Sequence, residues 1–246
     1  MRLLVLFFLF GAVLSACKKP EDRKCWKSAG VESELEIDLP TFKNLWLGPH
    51  MNFVLVQDTV CKAIVKGGKN LIHMVQFNLV DDEMQVVNGN SCAFLRSYKK
   101  EITVEIHINQ LDKIQFEGTK PLICQNQIKQ DYLSMVIRDG AGNVDLNIEG
   151  LNLTLIVTHG WGNFNLHGKL NYLKIETNGS GFGSAYDINV MDSIHVISNS
   201  SNDVKVEVNN ALFRGQTKSM GSIYYRGNPA LLEFNKYGDG TLINDN

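Results

Sequence analysis

The 246-residue sequence has few prolines and no segment in which apolar residues keep a helical period. It contains 5 prolines against 21 glycines, a balance that favours many tight turns over helix termini. The formal net charge is only −2, and no block of basic residues is present, which argues against a nucleic-acid partner. Charged residues make up 20% and hydrophobic residues 44%, the composition of a folded chain rather than a disordered one.

The N-terminus lacks the roughly 20 apolar residues that a membrane-spanning helix needs. Residues 3–13 form a shorter apolar run after Arg2, so residues 1–16 are predicted to be a removed signal peptide. Residues 14–17 (Leu-Ser-Ala-Cys) resemble the lipobox of bacterial lipoproteins, which implies a lipid on Cys17. A plain secretory signal with an incidental Cys17 is the alternative. We expect residues 17–33 to be a lipidated, charged tether.

The residues after Cys17 give an expectation of location. Lys18 follows Cys17 directly, and this resembles Gram-negative sorting signals for the outer membrane. Residues 18–22 are similar to the surface-export signals of Bacteroidetes-type lipoproteins. We therefore expect an extracytoplasmic protein, anchored by its N-terminal lipid in the outer membrane or at the cell surface.

No two cysteines have CxxC spacing, which argues against a structural zinc site. Because the expected compartment is oxidising, the remaining four cysteines can form disulfides in three pairings. We favour a disulfide between Cys25 and Cys92, which would tie the tether to the first half of the domain. Cys61 and Cys124 lie in apolar, strand-like segments and are interpreted as free thiols.

A repeat organises the second half of the chain. Apolar triplets begin 21, 20, 20 and 19 residues apart, and a glycine-containing turn follows most of them. A fixed period near 20 residues built from short strands is typical of a solenoid. The triplets occupy residues 114–116, 135–137, 155–157, 175–177 and 194–196.

The first half also consists of strand-like segments. Residues 34–39 and 102–108 alternate between apolar and polar side chains, as half-buried strands do. Residues 42–47 and 51–57 are predicted to pair around Gly48-Pro49. Since no linker separates the two halves, we expect a single all-β domain over residues 34–246. The N-terminal half and the tail from Tyr224 would cap its repeats.

Several of these segments resemble the GIN domain, also called the auto-transporter adhesin head domain. They are residues 37–42 with 51–57, residues 64–72, and residues 221–229 with 238–240. The resemblance implies a right-handed, single-chain parallel β-helix of about 20 residues per coil, common among Bacteroidetes lipoproteins of unknown role. These motifs are structural and indicate no activity.

Candidate chemical sites are weak. His159, His167 and His195 lie in the repeats but lack the HxH or HExxH spacing of a metal site, so we interpret them as surface histidines. Four acidic residues could form a row on one face that hydrolyses glycans, as paired carboxylates do in glycosidases. We interpret them instead as separate, solvated carboxylates. The sequence therefore predicts no catalytic residue, no metal and no cofactor. The four acidic residues are Asp139, Asp145, Asp187 and Asp192.

Four aromatic residues near the turns form a candidate binding surface: Trp161, Phe164, Phe182 and Tyr186. Exposed aromatics mark binding surfaces, although aromatics at solenoid turns more often stack as packing. Our leading hypothesis is a non-enzymatic, adhesin-like or scaffolding envelope lipoprotein whose ligand is an unknown protein or glycan. The alternatives are a β-helix enzyme acting on polysaccharide and a periplasmic sensor partner of an inner-membrane protein.

Overall fold

A computed structural model describes residues 28–90 and 101–246 of the chain. About 63% of these described residues lie in strands and 2% in helix. Cys17, Cys25 and Cys92 lie outside the described residues, so the lipid anchor and the Cys25–Cys92 disulfide remain predictions. No helix in the described ranges is long and apolar enough to cross a membrane.

Twenty strands and one helical turn, α1, follow one another through the described residues. They are β1 (Glu32–Asp38), β2 (Asn44–Leu47), β3 (Asn52–Gln57), β4 (Lys62–Gly68), α1 (Lys69–Ile72), β5 (Val75–Val80), β6 (Glu83–Asn88), β7 (Thr103–Ile108), β8 (Lys113–Phe116), β9 (Leu122–Cys124), β10 (Ile128–Lys129), β11 (Tyr132–Arg138), β12 (Asn143–Glu149), β13 (Asn152–Thr158), β14 (Asn163–Gly179), β15 (Phe182–Ser200), β16 (Val204–Glu207), β17 (Leu212–Thr217), β18 (Ile223–Arg226), β19 (Leu231–Lys236) and β20 (Leu242–Asn244).

The strands stack as coils of a β-solenoid with about 7 turns, which confirms the predicted fold class. Each coil contributes one strand segment to each of two walls. In the first wall, β11 lies parallel between β8 and β13, so that Met135 lies between Ile114 and Leu155. In the second wall, β12 lies parallel between β9 and β14.

Strict alternation along the strands builds the core. In β12, Val144, Leu146 and Ile148 point inward and are fully buried, while the residues between them are partly exposed. Burial of one such side chain contributes about 1.5–3 kcal/mol. Because the same columns repeat coil after coil, the inward residues form one continuous core along the solenoid.

The fifth predicted triplet is out of register by two residues. Ile175 pairs with Val196, whereas Ile194 pairs with Leu173. Two irregularities between β14 and β15 each insert one extra residue into β15. The difference in residue number between paired positions of the two strands therefore grows from 19 to 21. A shift of two residues keeps Ile194 on the inward face, where it is buried.

The predicted pair of strands around Gly48-Pro49 is wrong. The two segments are β2 and β3, which do not pair with each other. β2 lies between β6 and β8, and β3 lies between β7 and β9, all in parallel. Consecutive strands of a solenoid occupy different walls, so each finds its partners in the coils above and below.

Antiparallel strands close the N-terminal end. β4 lies antiparallel between β1 and β7, and β5 forms a hairpin with β6. Asp81 and Asp82 at the hairpin turn have φ values of 46° and 66°, as a two-residue turn of the mirror-image type requires. Leu71 and Ile72 of α1 are buried at this end.

The tail is not a separate cap as expected. β18 pairs with β16 and β20, and β19 pairs with β17, so the tail continues both walls to the last coil.

Candidate functional site

An open cleft of about 530 Å³ lies where the second wall begins, at the corners before β14, β15 and β16. Trp161 stands at its edge with 65% of its surface exposed, and Phe182 lines it half-buried. The stacking register places Asn163 beside Phe182 and Asn165 beside Ser184. The cleft therefore combines an aromatic plane with a ladder of amides and hydroxyls. Its remaining lining residues are Gly183, Asn202, Asp203 and Lys205.

Part of this polar lining is free to bind a ligand. Asn202 Nδ2 donates to the Ser180 carbonyl at 3.0 Å, and Asp203 Oδ1 accepts from the Ser222 N–H at 2.8 Å. The side-chain amides of Asn163 and Asn165, by contrast, have no hydrogen-bond partner within residues 28–90 and 101–246. The charges of Asp203 and Lys205 offset each other, so the cleft suits an uncharged ligand with several hydroxyl or amide groups.

The four predicted aromatics do not form one ledge. Trp161 and Phe182 share the cleft, but Phe164 is fully buried in the core, so its inclusion in the binding surface is wrong. The pattern Asn163-Phe164-Asn165 already carries the signal, because alternation places Phe164 on the inward face of a strand.

Tyr186 lies further along the same wall and belongs to a polar cluster. Its hydroxyl donates to Asp245 Oδ2 at 2.8 Å, and the Arg226 guanidinium lies 4.1 Å from its ring centroid. Burial and the hydrogen bond to Asp245 raise the Tyr186 pKa well above its ordinary value. Arg226 Nη2 also contacts Asp245 Oδ2 at 3.1 Å. The cluster links three coils and holds the last residues of the chain against the wall.

The structure does not bring the three candidate histidines together. His167 lies on the second wall, between Asp145 at 3.3 Å and Asp187 at 3.8 Å. His195 lies on the first wall, where burial lowers its pKa, and His159 occupies a turn with φ of 55°. Among the described residues, no group of three His, Cys, Asp or Glu side chains could hold a metal ion.

The structure does not bring the four acidic residues together either. Only Asp145 and Asp187 approach a common group, namely His167. Asp139 contacts the adjacent Arg138 at 2.9 Å, and Asp192 accepts from Asn171 Nδ2 at 3.2 Å.

Sequence reasoning missed a charged network near the N-terminal end. His107 Nδ1 lies 2.7 Å from Asp58 Oδ2, and Nε2 lies 3.0 Å from Glu105 Oε1. Lys66 Nζ contacts Glu105 Oε2 at 2.7 Å, and this hydrogen bond lowers the Glu105 pKa. Outward Glu105 and His107 on one strand were readable from alternation. Their partners are Lys66, which the antiparallel pairing of β4 with β7 brings close, and Asp58, which lies in a loop. No local sequence pattern specifies either contact.

The two described cysteines, Cys61 and Cys124, are free and half-buried. Burial raises the pKa of the Cys124 thiol to about 11, so it stays protonated at neutral pH and is a poor nucleophile.

A second groove of about 460 Å³ lies at another corner, between the walls. Its lining includes Lys129, Glu149 and Lys169 with the exposed Leu151 and Met191, but no aromatic ring. The first cleft is therefore the better candidate for recognition of a sugar or peptide.

Comparison with known proteins gives a family and several related folds. The family model "Putative auto-transporter adhesin, head GIN domain" matches residues 41–229. A "putative adhesin" from Bacteroides fragilis NCTC 9343 superposes with a TM-score of 0.77 at 20% identity, covering 87% of this chain and 97% of that one. No curated protein matches the chain.

Two Parabacteroides structures also share the fold. A "putative adhesin" from P. merdae ATCC 43184 has a TM-score of 0.67 at 17% identity, covering 89% of this chain and 98% of its own. A "putative lipid binding protein" from P. distasonis ATCC 8503 has a TM-score of 0.63 at 15% identity, covering 88% and 98%. The family match spans most of the solenoid, from the corner before β2 to the turn after β18, and the chain therefore belongs to the GIN-domain family of auto-transporter adhesin heads.

Proposed function

We propose that this protein is a non-enzymatic, adhesin-like lipoprotein that is displayed on the outer membrane or cell surface and binds a neutral glycan in the Trp161 cleft. Membership of an adhesin-head family supports the adhesive role. The signal peptide and the lipobox ending in Cys17 support the envelope location.

The side chains that line the cleft are the main support for this proposal. A sugar ring presents C–H groups on its faces and hydroxyls at its edge, so it needs an aromatic plane with amides around it. Trp161 supplies that plane at 65% exposure. Asn163 and Asn165 supply two amides with no partner in the described part of the chain. Successive coils lie about 4.8 Å apart, so the polar groups repeat along the solenoid and could contact successive units of a linear chain.

The binding test compares two aromatic truncations on the full chain. Panels of neutral and acidic oligosaccharides would be immobilised, and binding of the parent would be compared with Trp161→Ala and Tyr132→Ala. Tyr132 is the matched control, because it is 66% exposed and lies on the other wall. We expect neutral oligosaccharides to bind the parent and the Tyr132 variant, and to lose at least about tenfold in affinity with Trp161→Ala. Equal binding by all three proteins would refute the cleft as the site.

An enzyme acting on polysaccharide is the second hypothesis. Glycosidases need two carboxyl groups flanking the scissile bond. Asp203 is the cleft's one carboxylate, and it already accepts a backbone hydrogen bond. Release of reducing ends from the bound oligosaccharides, abolished by Asp203→Asn, would favour the enzyme over the adhesin.

The anchor has its own test. Cys17→Ser should move the protein from the membrane fraction to the soluble fraction, because acyl chains on Cys17 would supply the membrane affinity. Retention of the variant in membranes after washing without detergent would contradict lipidation.

A further inference from the structure

One edge of the solenoid, where the second wall ends and the first wall begins, exposes a large apolar side chain in each of six successive coils. These residues follow one another at alternating steps of 19 and 21 positions, and each is 39–66% exposed. Single exposed apolar residues are common on protein surfaces, but a contiguous row marks a contact surface. We call this row the apolar ridge; its members are Tyr132, Leu151, Tyr172, Met191, Leu212 and Leu231.

The stacking of the coils makes the ridge continuous. The Leu151 carbonyl accepts from the Tyr172 N–H at 2.8 Å, and Leu212 pairs directly with Leu231. The coil of Met191 lies between those of Tyr172 and Leu212. Because adjacent coils lie about 4.8 Å apart, the ridge is about 24 Å long and one side chain wide.

The ridge and the Trp161 cleft lie on opposite edges of the solenoid. Strands of the second wall begin at the cleft and end at the ridge, and the seven residues of β12 span about 23 Å between the two edges. A surface that contacts the ridge therefore leaves the cleft open on the far side.

We propose that the apolar ridge binds the surface of the bilayer that holds the lipid anchor, so that the solenoid lies on its side with the Trp161 cleft facing outward. This rests on the lipid anchor of the proposed function. Ser28, the first described residue, comes eleven residues after Cys17, a length that reaches at most about 36–40 Å. That reach exceeds the width of a wall, so Cys17 can enter the same bilayer from either edge of the solenoid. The anchor thus keeps the ridge next to an apolar phase.

The side chains of the ridge suit the boundary between lipid and water. Tyr132 and Tyr172 each combine an apolar ring with a hydroxyl, and tyrosine is enriched at membrane interfaces for that reason. An apolar protein face that lies on a membrane enters the headgroup region by about 5–10 Å. One row of side chains along a convex edge is enough for that depth.

The groove of about 460 Å³ beside the ridge carries charges of both signs. Lys129, Glu149 and Lys169 line it and are stacked in that order in three successive coils. Lys129 Nζ lies 4.0 Å from Glu149 Oε2. The lysine ammonium groups suit the phosphate of a phospholipid, and the Glu149 carboxylate suits its cationic end. We therefore commit to a zwitterionic phospholipid surface rather than an anionic one.

The shape of the ridge argues against a second copy of the chain as its partner. A stable protein interface buries about 800 Å² on each partner, whereas the ridge is a convex row only one side chain wide. A bilayer can deform around such an edge, but a second folded solenoid cannot.

The orientation is tested by quenching of tryptophan fluorescence. The full lipidated chain would be incorporated into phosphatidylcholine vesicles with brominated acyl chains. Tyr172→Trp places an indole on the ridge, and Tyr237→Trp is its matched control, because Tyr237 is 70% exposed at the opposite edge. We expect the bromolipid to quench the fluorescence added by Tyr172→Trp and to leave that added by Tyr237→Trp unchanged. Equal quenching of the two would overturn the proposal.

Two exposed methionines test the contact without the anchor. The mature chain from residue 17, unlipidated as Cys17→Ser, would be sedimented with phosphatidylcholine vesicles. Met191→Glu removes one apolar side chain from the lipid contact and should weaken vesicle binding at least about tenfold. Met220→Glu should not, because Met220 lies at the opposite edge, between β17 and β18. Both positions are exposed, so circular dichroism should be unchanged.

The other outcomes are equally decisive. Absence of binding at millimolar lipid, or equal weakening by both glutamate variants, would overturn the ridge as a membrane contact. Binding only to vesicles that contain phosphatidylglycerol would overturn the zwitterionic assignment. A dimer in lipid-free solution that Met191→Glu dissociates would assign the ridge to a second copy instead. Failure of the lipidated chain to enter vesicles would count against the anchor, whereas sedimentation of the Cys17→Ser chain still decides whether the ridge binds lipid.

Discussion

Gly183 offers the sharpest test of how tightly the coils stack. It pairs with Phe164 of the preceding coil, and a Cβ added at Gly183 would meet the Phe164 carbonyl oxygen and approach its ring Cδ1 to 2.5 Å. Ordinary contacts of a Cβ lie at 3.4–4 Å. Phe164 is fully buried, so neither its ring nor its carbonyl can move away without disturbing the core.

Gly183→Ala should therefore push β15 away from β14. Overpacking of a well-packed core costs about 1–3 kcal/mol. Replacement of glycine also reduces the entropy of the unfolded chain, which offsets about 0.4–1 kcal/mol. We expect a net loss of about 1–2 kcal/mol in the free energy of unfolding. A Cβ at Gly181 would lie 2.6 Å from Val157 Cγ1 and 2.9 Å from Val157 Cβ, and this side chain is fully buried, so Gly181→Ala should also lower the free energy of unfolding.

Two matched variants separate crowding from backbone strain. Gly179 has a φ of 69° and nothing within 4 Å of an added Cβ, so Gly179→Ala tests strain alone. Its strain of about 1–2 kcal/mol is only partly offset by the same entropy term, so a net loss of about 1 kcal/mol in the free energy of unfolding is expected. Ser180→Ala should change stability by less than about 0.5 kcal/mol. The assay is urea unfolding followed by far-UV circular dichroism. If Gly183→Ala unfolds at the same urea concentration as Ser180→Ala, the close stacking of β14 and β15 is wrong.

Three further changes test other parts of the solenoid. Ile175→Asp buries an unpaired charge and should lower the free energy of unfolding by more than about 4 kcal/mol, whereas Lys174→Ala should change it by less than about 0.5 kcal/mol. Equal thermal midpoints for the two variants would refute the assignment of Ile175 to the inward face. Glu105→Gln should destabilise at neutral pH, because a carboxylate with a lowered pKa contributes stability that is lost as pH falls through that pKa. The difference from the parent should vanish in acid titrations well below the ordinary Glu pKa of about 4.3, and a difference that persists there would contradict this account. Tyr186→Phe removes the hydrogen bond to Asp245 and should increase amide hydrogen exchange in β20, an effect that Tyr132→Phe should not reproduce.

Local pattern was sufficient for the architecture of the repeats. Met135, Leu155 and Ile175 recur at a step of 20 residues, and a parallel stack is the arrangement in which such residues share one column. Alternation alone also assigns Phe164 to the core, because a strand places neighbouring side chains on opposite faces. The residues most readily predicted are thus those whose environment depends on the period of their own strand.

Tertiary structure decided what the period leaves open. The register of Ile194 depends on two irregularities in β15, which change the residue count of one coil without changing the inward face. The partners of His107 depend on β4 and a loop, and the Trp161 cleft depends on three corners that become neighbours only when the coils stack. Sequence spacing fixes how often the chain turns. Only the stacked coils determine which side chains from different turns meet, because those contacts join residues about 20 or more positions apart.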